Sequence, residues 1–453
     1  MKQTLSNKVE ATATSVVMLG VPIDNVSMDE AVERIDGFVR EGGYHQVATA
    51  NADFLVNALK DSELRQILHG CALVLADGMP LVLASRFMKS PLAERVTGVD
   101  LVPQLAILSA RRGYRIFLLG GNPEAAAGAA EFMTALGGHI AGSYSPPMSS
   151  LESMDNDEIF RRLDEAAPDI LLVAFGNPKQ EKWAYRNRER LAGIPVTVGV
   201  GGTFDMLAGH IKRAPRWMQK SSLEWVWRLS NEPQRLAKRY ALDAFYLAKH
   251  LSRQVLLSRL GNKAAHGTVA LQMVGSVAVV TAAGRMAGVA LRQLGSHLTA
   301  AAQRSRSVVV DLSEVDHLSV AAIGLLVRSA SEARKRGVGV CLAGSSPTVS
   351  KVIEAAHVTD LFLYADTVGE AIRSVSPQRM QLSIEFGEGW AECRVGGEMS
   401  DAAPAVREII RQLLASERRV KFDTTGLGRE EADGLMSTVA LGRQSDYQLV
   451  KGC

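Results

Sequence analysis

From Val16 to Phe204, short apolar runs alternate with segments whose apolar positions recur every three or four residues. The runs SVVMLGV (15–21), HQVATA (45–50), ALVLA (72–76), RIFLLGG (115–121), DILLVAF (169–175) and PVTVGVGG (195–202) predict strands. Several are apolar without alternation, as strands covered on both faces require. The periodic segments between them, such as Ala52 to Leu68 and Val99 to Ala110, predict crossover helices. Strand and helix in alternation predict a doubly wound α/β domain with a parallel sheet over residues 1–208. Ligands on such sheets sit at the carboxyl ends of the strands, so chemistry is expected from the residues that follow each run.

Beyond Phe204 the runs stop. Residues 209–260 predict two or three helices, broken near Pro215 and Pro233, and Gly261 to Gly267 reads as a linker. The remainder repeats itself. Gly284-Arg285-Met286 precedes a helical stretch (Gly288 to Ala302) and the strand SVVVDLSEV, ending at Val315. Gly397-Glu398-Met399 precedes a helical stretch (Ala402 to Ala415) and the strand RVKFDTTGL, ending at Leu427. The near-equal intervals Gly284 to Asp311 and Gly397 to Asp423 predict two copies of one small α/β module. They would span 266–376 and 380–453, the second truncated soon after its strand.

Composition narrows the class. Of 453 residues, 47% are apolar and 22% charged, the profile of a globular protein with real cores. Cys71, Cys341, Cys393 and Cys453 are scattered without metal-ligand spacing, which suits a reducing compartment. MKQTLSNKVEATATS lacks the apolar core of a signal peptide, and no run approaches the roughly 20 apolar residues of a spanning helix. A cytoplasmic location follows as an expectation. The net charge of +3 is unevenly spread. Lys212 to Arg259 holds eleven Lys/Arg against three acids, a local excess of eight, which leaves about minus five on the rest. Trp217, Trp225 and Trp227 lie among those arginines, the combination an interfacial membrane segment uses. A solvated helix face is the bland alternative. Nucleic acid is disfavoured, because no binding motif accompanies the charge.

Five turns follow strands. In Ala48-Thr49-Ala50-Asn51, Asn51 reads as a helix N-cap, or with Thr49 as polar groups facing a ligand. In LVLADGMP, Asp77 reads as a cap or as a general base at the open end of the sheet. Gly120, Gly121 and Asn122 open a helix whose N-terminus suits a phosphate or is simply capped. In AFGNPKQEKW, Gly176 makes the turn and Lys179, Gln180 and Glu181 begin a helix; Glu181 suits the dipole there and Lys179 does not, which favours a ligand role for the lysine. Gly199, Gly201 and Gly202 would let a ligand approach the backbone. Asp155-Asn156-Asp157 spells a metal-binding DxD but enters a helix from a polar stretch, so it reads as capping. The histidines show no ligand spacing, and no metal or cofactor is expected.

Taken in order, TANADFLVNA, LADGMPLVLASR, RVTGVDL, LLGG, GNPKQEKW, GVGGTFD, KRAPRWMQK, LEWVWRL and EPQRLAKRY resemble the WecG/TagA/CpsF glycosyltransferase family over about residues 15–250. The resemblance implies a Rossmann-like, metal-independent, inverting enzyme. It would move a sugar from a UDP-sugar to a polyprenyl-diphosphate-linked saccharide for surface polysaccharide, at the inner face of the cytoplasmic membrane. It implies Asp77 as catalytic base, with Thr49 and Asn51 lining the same pocket. Arg95 and Asp100 would contact sugar and phosphate, and Gln180 and Glu181 the nucleotide or its ribose. Arg213, Arg216, Arg228, Arg235 and Arg239 would meet diphosphates on a basic membrane appendage.

The stretch VVVDLSEVDHLSVAAIGLLVRSASEARKRGVGVCLAG, followed by VIEAAHVTDLF, resembles a STAS domain over about 266–375. Where regulatory members carry Asp-Ser-Ser-Gly, this chain has Ser319-Val320-Ala321-Ala322, so the phosphorylated serine is missing. A module for binding a protein partner or for self-association is expected, with residues 380–453 as a second, incomplete copy. The competing reading is a scaffold that binds a UDP-sugar or a protein without turnover; retention of Asp77, Thr49 and Gln180 argues against it. A nucleotide-dependent oxidoreductase is disfavoured by the lack of GxGxxG with an acidic residue about 20 positions on.

Overall fold

The computed structural model describes residues 15–211, 213–215, 217–218, 224–231, 233–259, 267–375, 381–387, 390–396, 419–426 and 447–450. The chain divides into two compact units, Met1–Ala371 and Ile372–Cys453.

The first unit opens on an antiparallel hairpin, β1 (Ser15–Met18) and β2 (Val21–Asp24). The 15–21 run was expected as one strand of the main sheet. Leu19 and Gly20, at φ 48° and 85°, instead reverse the chain inside that run. Next come α1 (Met28–Glu41), β3 (His45–Ala50), α2 (Ala52–Lys60), α3 (Ser62–Gly70), β4 (Leu73–Ala76), α4 (Met79–Phe87) and α5 (Gly98–Arg112). They are followed by β5 (Arg115–Gly120), α6 (Pro123–Ala135), β6 (His139–Tyr144), α7 (Asn156–Ala166), β7 (Ile170–Ala174), α8 (Lys179–Arg186), β8 (Val196–Gly199) and α9 (Thr203–Leu207). The single helix expected over 52–68 is two, because Asp61 ends α2 and its side chain caps α3 by accepting from Leu64 N. The half-exposed strand β6, HIAGSY, has no continuous apolar run and was not foreseen.

Six parallel strands form the sheet in the order β4-β3-β8-β7-β5-β6, as the doubly wound class requires. The pleat divides the core between its faces. Ile116 and Leu118 of β5 and Ile170 and Leu172 of β7 join α5 and α6 on one side. Phe117, Leu119, Leu171 and Val173 join α7 and Trp183 on the other. The appendage helices α10 (Glu224–Asn231) and α11 (Pro233–Arg259) follow, the latter beginning at the expected proline.

A second sheet then forms from β9 (Thr268–Val274), β10 (Val277–Met286), α12 (Val289–Arg304), β11 (Ser307–Leu318), α13 (Val320–Lys335), β12 (Gly339–Ala343), α14 (Pro347–Ala355) and β13 (Leu363–Ala365), closed by α15 (Val368–Val375). Its order is β13-β12-β11-β10-β9, with β9 antiparallel to β10 and the others parallel. Ser319 caps α13, accepting from Ala322 N and donating to the Met286 carbonyl.

In the second unit, β14 (Gln381–Gly387), β15 (Trp390–Gly396), β16 (Arg419–Gly426) and β17 (Tyr447–Val450) pair in sequence order. The first pair is antiparallel and the next two parallel, the same succession as β9 to β12. Strand β17 lies within the 380–453 span expected of the second copy. The expected helix over Ala402 to Ala415 and the linker at 261–266 lie outside the described residues.

Candidate active site

Register places the first group. Thr49 and Ala50 of β3 pair with Leu75 and Ala76 of β4, so Asn51 and Asp77 emerge side by side at the carboxyl ends of neighbouring strands. Asp77 N donates to the Ala50 carbonyl at 2.8 Å. The Asp77 carboxylate does not cap α4, whose N-cap is Gly78 with no side-chain bond. It lies at the N-terminus of α5 instead, with Oδ2 3.5 Å from Gly98 N. Asn51 caps α2 by accepting from Phe54 N. Buried Thr49 donates to the Gly199 carbonyl at 2.9 Å, tying β3 to β8.

The second group braces the loops after β7 and β8. Gln180 Oε1 accepts from both Gly176 N and Gly201 N at 3.1 Å. Its amide nitrogen donates to Glu181 at 2.7 Å, and Asn177 donates to the other Glu181 oxygen at 3.1 Å. Glu181 is 1% exposed, and burial pushes its carboxyl up to about 7 against the lowering effect of the bonds from Gln180 and Asn177. The expectation of Glu181 facing the nucleotide therefore needs correction: both oxygens turn inward, and it positions Gln180. Gly199 is also reassigned. A Cβ there would lie 2.6 Å from Gln180 and 2.7 Å from Glu181, so the glycine makes room for the brace. Gly120 and Gly121, at φ 94° and 72°, fit the same pattern, with a Cβ meeting the Phe175 and Phe204 rings. Asn122 caps α6 through Glu124 N. Gly202 precedes α9 as its N-cap. Lys179, expected to face a ligand, donates to the Ser149 carbonyl at 2.5 Å instead. Asp155 caps α7 by accepting from Glu158 N, as read from the sequence.

The third group is ionic. Arg213 meets both oxygens of Asp100 at 2.7 Å, and Arg95 meets Glu224 at 2.8 Å and Asp100 at 3.9 Å. Arg95, Asp100 and Arg213 border a cleft of about 470 Å³ together with Glu94, Gln104 and Met206. Burial works to raise the Asp100 carboxyl, but hydrogen bonds from Arg213 and Thr97 and the two arginine charges hold it below the usual range. Burial works against the Arg213 charge too, yet Asp100, Glu224 and Asp77 raise its guanidinium above normal. Asp77 thus belongs to the field of this cluster without lining the cleft. Arg213 Nε is buried and finds no hydrogen-bond acceptor among the described residues. Glu224 had no role in the sequence reading, since its partner lies 129 positions away.

Of the other appendage arginines, Arg239 is exposed, its guanidinium 5.5 Å from the centre of the Tyr240 ring. Arg216 and the side chains of Arg228 and Arg235 lie outside the described residues. Trp217, Trp225, Leu242, Phe245 and Leu256 are exposed on the same appendage. Among the described residues no helix is long and apolar enough to cross a membrane, and no cluster of His, Cys, Asp and Glu could hold a metal ion.

Comparison with known proteins supplies the family. The model of the glycosyl transferase WecG/TagA/CpsF family matches residues 16–261, and that of the STAS domain matches 268–371. Two similar relatives, from Staphylococcus aureus strains MRSA252 and MW2, are named N-acetylglucosaminyldiphosphoundecaprenol N-acetyl-beta-D-mannosaminyltransferase. Each is 27% identical over 52% of this chain and 92% of its own length. Among solved structures, the unphosphorylated anti-sigma factor antagonist SpoIIAA is similar at 17% identity, over 24% of this chain and 96% of its own, with a TM-score of 0.21.

Proposed function

Since the chain belongs to the WecG/TagA/CpsF glycosyl transferase family and carries a STAS domain, we propose that it transfers N-acetylmannosamine from its UDP-sugar to a polyprenyl-diphosphate-linked N-acetylglucosamine. The acceptor and sugar come from the names of the relatives; the UDP donor comes from the family resemblance. The observation that carries the reading is the juxtaposition of Asp77 with the Arg95–Asp100–Arg213–Glu224 cluster at the strand ends.

Asp77 is the base that takes the proton of the acceptor hydroxyl. The oxygen attacks the anomeric carbon from the face opposite UDP, a C–O bond forms, and the bond from that carbon to the diphosphate oxygen breaks with inversion. The leaving diphosphate gains negative charge as the bond lengthens. Phosphoryl oxygens then compete with Asp100 and Glu224 for Arg95 and Arg213, and the buried Arg213 Nε gains an acceptor. Thr49 and Asn51 fix the strand ends beside Asp77, and Gln180 holds the loops at Gly176 and Gly201 open for the nucleotide. Gly120, Gly121 and Asn122 present a helix N-terminus to a phosphate. The exposed aromatic and basic residues of the appendage, Arg239 among them, rest on the membrane surface where the lipid acceptor lies.

The test is UDP release from a panel of UDP-sugars, with a polyprenyl-diphosphate saccharide in detergent, for wild type and Asp77→Asn. Release that requires the lipid and falls about 10²–10⁴-fold in the variant is expected. Equal release from both proteins would remove Asp77 as base and favour a binding scaffold.

A further inference from the structure

The appendage helix α11 does not end on the transferase. Leu247, Leu251 and Val255 pack on the core beneath β3 and β4, the one that includes Leu55, Leu81 and Met88. Gln254, 2% exposed, faces the hairpin: its amide donates to the Val17 carbonyl at 2.7 Å and its oxygen accepts from Leu19 N at 3.1 Å. Leu257 turns the other way and packs on the STAS core. His250 lies with its ring 5.5 Å from that of His357, just past α14. Apolar residues four apart and a second row at 250, 254 and 257 give this half of the helix two partly buried faces.

The surrounding junction is built closely. Val17 of the hairpin belongs to the STAS core, and Val320 of the STAS domain belongs to the transferase core. A Cβ on Gly324 of α13 would lie 1.9 Å from the Ser15 carbonyl, and one on Gly20 would lie 2.9 Å from the His357 carbonyl. Arg65 of α3 binds Asp360 at 3.0 Å. At its other end the appendage reaches the site, since α10 packs on α11, Trp225 meets Tyr240, and Glu224 holds Arg95.

We propose that the STAS domain is the seat of the transferase's own appendage: it holds the C-terminal half of α11 and so fixes the arginine-bearing segment and Glu224 relative to the cleft. The partner of this STAS surface is thus a helix of the same chain. The consequence for catalysis rests on the reading of the appendage as facing the lipid acceptor; the seating itself does not.

Hydrogen exchange on the full-length chain tests the seating, with His357→Gly, Leu257→Ala and the double variant. Glycine adopts the φ of 56° at His357 without strain, so the ring is removed and the turn kept. Exchange across residues 245–257 is expected to quicken about tenfold, while β10 and β11 stay protected. Should β10 or β11 also loosen in the double variant, the His357→Gly protein alone supplies the answer. Wild-type protection of α11 in every variant with native β10 and β11 overturns the proposal. In parallel, acceptor KM should rise about tenfold with donor KM unchanged. A loosened α11 with unchanged acceptor KM, in a protein where Arg239→Ala does raise it, overturns the link to catalysis. If Arg239→Ala also leaves acceptor KM alone, the acceptor-facing reading fails and the seat stands on the exchange result.

Discussion

Arg328 and Arg213 each hold an aspartate supplied by another element, and their surroundings make them different devices. Arg328 of α13 pairs with Asp24, 5% exposed, and donates to Ser15 Oγ at 3.1 Å and the Cys71 carbonyl at 2.6 Å. Asp24 also accepts from Ser15 Oγ and Val74 N, both at 2.7 Å, so each carboxylate oxygen is hydrogen-bonded. Arg213 and Asp100 instead border an open cleft, one guanidinium nitrogen has no acceptor among the described residues, and two further charged residues share the pair. A closed, saturated pair fixes a junction between folding elements. An open, over-supplied one can exchange partners with an anion, as the proposed UDP-sugar donor would require.

The largest effect should come from breaking the closed pair. Arg328→Ala leaves Asp24 buried with its ion partner gone, at a cost of about 3–5 kcal/mol. The thermal midpoint of the first unit should fall, with loss of activity following the loss of fold. Calorimetry of the full chain measures it. An unchanged midpoint would mean that Ser15 and Val74 N suffice for Asp24, and the contrast between the two pairs would collapse.

The reciprocal experiment opens the other pair. Arg213→Ala should leave the midpoint within about 2 °C, because the site is half-buried and Asp100 keeps Thr97 and Arg95. Its kcat/KM should drop about 100-fold, roughly 2.7 kcal/mol of transition-state stabilisation. Steady-state kinetics over both substrates decides the matter. A variant that loses stability but not kcat/KM would place Arg213 with Arg328 among structural residues.

What the sequence made legible follows the same division. An inner strand such as β7, ILLVA, could be read because burial on both faces leaves no polar residue to blur it. The edge strand HIAGSY is half-exposed and carries no such mark. The hairpin was hidden because its turn, Leu19-Gly20, is as apolar as its arms and becomes buried under the STAS domain. At the site, Asn51 and Asp77 could be placed because parallel strands align their ends. The inward turn of Glu181 could not, since in GNPKQEKW it reads as an acid suited to a helix dipole until Gly199 is seen vacating the space beneath it. Glu224 and Arg328 were beyond reach for a simpler reason. Their partners lie 129 and 304 residues away, and no local pattern encodes a pair of that span.

The smallest effect is expected at a carboxylate that belongs to neither device. Asp243 of α11 is nearly covered, and burial, then the charge of Asp53 on α2, push its carboxyl up to about 6, against the pull of Arg239 and Lys60. Its proton is held more tightly in the folded chain than in the unfolded one, where an ordinary aspartate titrates near 3.8. The stabilisation from that proton is complete below the unfolded value and is lost as pH rises through about 6. Docking of α11 on α2 should therefore weaken between pH 4 and pH 6 to 7, lowering the midpoint by less than about 2 °C. Asp243→Asn should flatten that slope and match the acid-side stability of wild type at neutral pH. Midpoints measured at half-unit steps across this window provide the check. A slope that survives the substitution would remove Asp243 as the titrating group, and the weak point of the appendage would no longer lie at this carboxylate of α11.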